Sequence, residues 1–354
     1  MATKRNSPPP KTKSKKAGKP RHGHKRLKRL AIALVVLVIA GWLSFRVSPW
    51  PGSLFIRYAF DKGGRKTAQK LEKYVPDGVS SVTNLQYRPG DKDAYLDAYY
   101  PSNTASNQRL PTIVWVHGGA WVSGSKETVA NYVKILASHG YTVVAIDYSI
   151  APEKHYPLPV VQTDAALRYV QANAARLHID PSRFILAGDS AGSQIAAQVA
   201  TIITNPAYAR QMGMASPMAS QQLKGMLLNC GAYDIALTQK TKAARDFVHT
   251  VLWAYSGHKD YVHDAELQYA SVADYVTKDF PPSFITAGNA DPLEPQSREL
   301  ASRLSAVGVP LSTLFYPADH EPQLPHEYQF DLDQADGRNA LNQMVGFLGQ
   351  YTKP

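Results

Sequence analysis

Residues 183–198, RFILAGDSAGSQIAAQ, contain the change of periodicity that sets the fold. Phe184 to Ala187 is a short apolar run of the kind a buried strand requires, and from Ser193 onward small and apolar residues recur at helical spacing. Between the two stands Gly188-Asp189-Ser190-Ala191-Gly192, a Gly-x-Ser-x-Gly pentapeptide. A serine on a turn from strand to helix sits in strained backbone with its hydroxyl exposed, and flanking glycines leave room where the chain doubles back. Ser190 is therefore the candidate nucleophile.

Outward from this stretch the same alternation repeats. Apolar strand-like runs at 113–116, 143–146, 184–187, 225–228, 284–287 and 311–315 alternate with helical spacing at 129–138, 159–176, 194–204, 296–307 and 337–351. That rhythm predicts an α/β fold, with a mostly parallel central sheet covered on both faces by helices. Alternating, aromatic-rich segments at 82–88 and 94–100 flank Pro89-Gly90 and add an antiparallel pair. Residues 233–281, rich in aromatic and polar groups, interrupt the alternation and read as a helical cap insertion over the carboxyl ends of the strands, where such sheets bind ligands.

The chain has 354 residues, enough to bury a large core, and a formal charge of +11. Twelve of its 39 Lys and Arg lie in residues 1–29, which hold no Asp or Glu, so the remainder carries 27 basic against 28 acidic residues. The body is close to neutral, which argues against a nucleic-acid groove and confines the charge to a tail. Residues 1–29 read as a disordered basic tail. Residues 30–45 carry no charge, and extension to Trp50 gives a segment of about 21 residues, roughly 31 Å as a helix, which spans a bilayer. Arg46 can snorkel, and Trp42 and Trp50 suit headgroup depth. The expectation is a single-pass signal anchor at 30–50 in the cell membrane, with the amino terminus cytoplasmic and the catalytic domain outside; a cleaved secretory signal and a buried soluble helix are the competing readings. Residues 51–80 then form a juxtamembrane connector covering the active-site mouth, with helical spacing at 54–60 and 67–74 broken at Gly63-Gly64 and Pro76, and residues 81–354 the catalytic domain. The single cysteine, Cys230, ends the apolar run Met226-Leu227-Leu228 and reads as a buried, inert thiol. The eleven histidines show no metal-ligand spacing, and no metal or cofactor is expected; His249, His258 and His263 read as insertion surface.

An exposed serine needs a base, a carboxylate that orients the base, and amide N–H groups that receive the developing charge. His117-Gly118-Gly119-Ala120-Trp121 directly follows the strand at 113–116, and its glycine pair can turn N–H groups into a cavity beside the N–H of Ala191.

Four stretches occur in the order found in one family: HGGAW at 117–121, DYSIAPEKHYPLP at 147–159, GDSAG at 188–192 and AGNADPLEPQS at 287–297. Over roughly residues 80–350 the chain resembles the α/β-hydrolase carboxylesterases of the hormone-sensitive-lipase family. The resemblance implies Asp291 as the triad acid and His320 as the base, an oxyanion hole of Gly118, Gly119 and Ala191, and supporting roles for His117, Asp147, Tyr148, Glu153 and Asp189. His326 is the rival base, and Glu294 and Asp234 are rival acids. Ala120 stands where the family usually has a third glycine. The expected activity is hydrolysis of small to medium apolar carboxylic esters through an acyl-enzyme. An amidase, a cell-surface glycan deacetylase and a non-catalytic surface binding protein are the alternatives.

Overall fold

The computed structural model describes residues 7–13, 22–238 and 245–353, which fall into two compact units, 1–48 and 49–354. The first is built on α1 (His22–Val47), within which Arg26–Val47 contains an 18-residue window of mean hydropathy 2.4 and is long and apolar enough to cross a membrane. Part of the expected disordered tail lies outside the described residues; residues 22–29, however, are helical, because the run after Gly23 consists of good helix formers. The helix also ends before Trp50. Pro49 and Pro51 fit only the first turn of a helix, so Trp50 opens the next one rather than closing the span.

The second unit holds α2 (Trp50–Leu71) and an eight-stranded sheet of β1 (Val79–Gln86), β2 (Tyr95–Pro101), β3 (Leu110–Val116), β4 (Thr142–Ile146), β5 (Ile179–Asp189), β6 (Leu223–Asn229), β7 (Ser283–Ala287) and β8 (Leu311–Phe315). Their order is β1-β2-β4-β3-β5-β6-β7-β8, antiparallel at β1/β2 and β2/β4 and parallel from there on. The chain leaves β3 for β4 on one side and returns to β5 on the other, so the crevice at the carboxyl ends of β3 and β5 is the switch point where open α/β sheets bind ligands. Central strands are buried on both faces and correspondingly apolar, as at Ile113, Val114, Trp115 and Val116. The sheet is covered by α3 (Lys126–Ala137), α4 (Leu158–Ala172), α5 (Ala191–Thr204), α6 (Pro206–Gln211), α9 (Glu294–Ala306) and α10 (Ala335–Tyr351). Between β6 and β7 run α7 (Ile235–Thr238), α8 (Arg245–Ser256) and short 3₁₀ turns; residues 239–244 of the expected insertion lie outside the described residues.

The expected break at Gly63-Gly64 does not occur, and α2 runs through it. A Cβ on Gly64 would stand 3.2 Å from the methyl of Thr128 on α3, so the glycine serves a close helix crossing rather than a turn. At its far end Leu71 is 1% exposed in a core with Tyr132, Trp115 and Leu136. The segment read as a connector is thus packed into the same unit as the sheet. Arg57 fastens its middle: Nε donates to Val122 O at 2.6 Å, Nη2 to Ala151 O at 2.7 Å, and the guanidinium grips both carboxylate oxygens of Glu153.

Candidate active site

Ser190 sits between β5 and α5 with φ 51° and ψ −121°, the strained turn expected of the pentapeptide. The turn passes so close to β3 that a Cβ on Gly192 would lie 2.0 Å from the carbonyl oxygen of Val116. Oγ of Ser190 is 2.9 Å from Nε2 of His326, and Nδ1 of His326 is 2.9 Å from Oδ2 of Asp291. With the imidazole neutral, Nδ1–H donates to the carboxylate and Nε2 accepts from the serine hydroxyl. The other carboxylate oxygen of Asp291 accepts the Leu293 N–H at 2.7 Å, which fixes the acid.

His320, the base implied by the resemblance, is not beside Ser190. Its Nε2 lies 3.3 Å from Asp336 and its ring packs on Tyr316. The loop after β8 explains the exchange. The side chain of Asn289 donates to the carbonyl of His320 at 3.0 Å and accepts the Leu324 N–H at 2.9 Å, while Ala290 N–H donates to Leu324 O at 3.0 Å. Zipped to the Gly288–Asp291 turn in this way, the loop delivers the residue two beyond Leu324, His326, to the carboxylate. The rival acids are engaged elsewhere: Glu294 pairs with Arg298, and Asp234 accepts the Leu237 N–H at 3.1 Å.

The glycine loop needs a second correction. Gly118 N–H donates to Oδ2 of Asp189 at 2.8 Å, so it is not free to meet a substrate oxygen. Asp189 also accepts the indole N–H of buried Trp115 at 2.7 Å, and burial, then the neighbouring Glu327, push its carboxyl well above the usual range. Beyond Gly118 the backbone enters the left-handed region for three residues, Gly119 (φ 116°), Ala120 (φ 53°) and Trp121 (φ 59°), which favours glycine and strains the other two. Ala120 and Ala191 line one cavity with Ser190 and Gly119 lines a second, which puts these three residues beside the serine. His117 is buried, lowered to about 4 by that burial, and donates from Nδ1 to Gly118 O at 2.7 Å. Tyr148 stacks on its ring and donates to its carbonyl at 2.9 Å. Asp147, raised to about 7 by burial, accepts the Lys126 N–H that opens α3. Glu153 pairs with Arg57, which donates to Val122 O just beyond the glycine loop.

Two cavities meet at Ser190 and His326. One, of about 310 Å³, is walled by apolar side chains including Phe60, Trp121, Phe247, Val248, Val251 and Leu252. The other, of about 400 Å³, includes Gly119, Ser123, Thr128, Asp189 and Glu327 and is the more polar. Neither Glu327 nor Cys230 announces itself in sequence. Cys230 brings its sulfur within 4.8 Å of donor atoms of Asp291 and His326, the only such potential metal-binding trio among the described residues. Burial pushes its thiol up to about 11, and both imidazole nitrogens are already engaged, which suits proton transfer better than metal ligation.

The BD-FAE family model matches residues 96–304. The chain belongs to this family. Its match to esterase LipQ of Mycobacterium tuberculosis is 28% identical and covers 77% of this chain and 62% of LipQ; the match to carboxylesterase NlhH of the same species is 32% identical and covers 68% and 72%. The fold is that of esterase B from Lactobacillus rhamnosis (TM-score 0.73, 22% identity, 84% of this chain and 96% of that one) and of a Pyrobaculum calidifontis esterase (TM-score 0.67, 23% identity, 84% and 92%). The BD-FAE chain is therefore an α/β-hydrolase of the hormone-sensitive-lipase-like carboxylesterases, and its enzyme class is carboxylic ester hydrolase.

Proposed function

We propose that this BD-FAE protein cleaves esters through an acyl-enzyme on Ser190, with His326 as base and Asp291 as its orienting acid. The observation that carries the reading is the hydrogen-bond chain Ser190–His326–Asp291. His326 takes the serine proton as Oγ attacks the ester carbonyl; the amides of Gly119, Ala120 and Ala191 receive the oxyanion; His326 returns the proton to the leaving alcohol. Water, deprotonated by the same imidazole, then releases the acid. The acyl chain takes the apolar cavity and the alcohol the polar one. Filling the first by Val248→Phe is expected to lower turnover of p-nitrophenyl octanoate roughly tenfold while leaving the acetate within about twofold. Equal losses on both esters would take the acyl chain out of that cavity.

The base works only when unprotonated. Burial pulls the His326 imidazole down, and the Asp291 carboxylate, hydrogen-bonded to Nδ1 at 2.9 Å, raises it above its ordinary value. The acid limb of kcat/KM should accordingly lie above about pH 6.5. In Asp291→Asn the limb moves to lower pH and kcat falls roughly 10³- to 10⁴-fold, because the carboxylate that favours the imidazolium is gone. A pH profile whose limb stays in place in that variant counts against the triad.

The proposed location is the cell membrane. Residues 30–47 span it, the basic residues before them stay on the cytoplasmic side, and the hydrolase unit lies outside; the apolar length of α1 and the placement of twelve Lys and Arg in residues 1–29 support this.

A further inference from the structure

We propose that the solvent face of the first turns of α2 is a membrane-docking surface, with Leu54, Phe55 and Tyr58 entering the outer-leaflet headgroup region of the bilayer that α1 spans. The inference rests on the membrane location given above. Leu54, Phe55 and Tyr58 are 46%, 72% and 66% exposed. At i, i+1 and i+4 they share one helical face, while the opposite face carries buried Ser53 and the clamped Arg57. Lys62, Arg65 and Lys66 are exposed and continue the outer face one and two turns on. An apolar and aromatic face followed by cations is the composition that lies in the plane of an anionic interface.

The patch is also concentrated. Among the described residues of the second unit, the exposed large hydrophobic side chains lie on α2 or are Phe247, which touches Phe60 of α2 at 5.7 Å, with Val307 the exception. Connectivity selects the occupant. Only Ser48 and Pro49 separate α1 from α2, so α2 begins within about 10 Å of the point where the span leaves the bilayer. A lipid surface is held at that distance permanently. Phe60 and Phe247 border the apolar cavity beside Ser190 from the opposite side of α2, so docking holds that cavity one helix width from the leaflet and favours esters whose acyl chains reside in the bilayer.

The full chain, reconstituted in phosphatidylcholine–phosphatidylglycerol vesicles, tests this with an environment-sensitive fluorophore on single introduced cysteines; native Cys230 is 1% exposed and stays unlabelled. Labels on Phe55→Cys and Tyr58→Cys should be blue-shifted and quenched by brominated lipid. A label on Ser106→Cys, an exposed position on the β2–β3 loop, should be neither. A label on Val38→Cys reports the span itself. Quenching at 38 without quenching at 55 and 58 overturns docking alone, and no quenching at 38 overturns the membrane location and docking with it. In activity, the Phe55→Glu/Tyr58→Glu double variant should hydrolyse diacylglycerol in the same vesicles roughly tenfold more slowly, with soluble p-nitrophenyl acetate unchanged. Equal rates on diacylglycerol overturn the proposal, and inactivity of the unmutated chain on both esters overturns the hydrolase reading instead.

Discussion

His326→Ala is expected to lose roughly 10⁴-fold or more in kcat on a p-nitrophenyl ester, whereas His320→Ala should stay within about twofold of the parent. The contrast follows from contacts. His326 touches both the nucleophile and the acid at 2.9 Å, so its removal leaves Ser190 with no acceptor for its proton. His320 is bonded to Asp336, and its tie to the loop is through its carbonyl, which alanine keeps. Matching melting curves for the two variants would show that chemistry and not folding separates them. Comparable loss in both, or loss only in His320→Ala, would mean that the loop after β8 adopts another path in the working enzyme.

Ser190→Ala should abolish measurable turnover, a loss of roughly 10⁶-fold, and should also abolish covalent labelling by a fluorophosphonate probe. Substitution removes one hydroxyl from a 7% exposed position between two cavities. Alanine keeps the Cβ of serine, so the strained turn at φ 51° costs it no more than it costs serine. Retained labelling would direct attention to another nucleophile, and retained turnover would remove the acyl-enzyme.

How much of this was legible in the sequence depends on how local each signal is. The turn bearing Ser190 was, because strand, glycines and helix lie within sixteen consecutive residues. The eight strands and their alternation with helices were, because central strands buried on both faces must be apolar throughout. The base was not: His320 and His326 both follow β8, and the choice between them is made by the side chain of Asn289, more than thirty residues away. Nor was the amide set legible, since glycines at 118 and 119 look alike until Asp189 is seen to claim the first of them. The glycine pair at 63–64 misled in the opposite direction. A helix-breaking signal was in fact room for Thr128.

The packing of α2 has a practical consequence for where the chain can be cut. Severing the chain at about residue 48 leaves the hydrolase unit whole. Starting it at the first strand, near residue 79, would strip away the Arg57 clamp, the Phe60 wall of the acyl cavity and the Leu71 plug together. A protease that trims the hydrolase unit past residue 57 would therefore be an inactivating agent, while one that cuts before residue 49 would leave that unit entire.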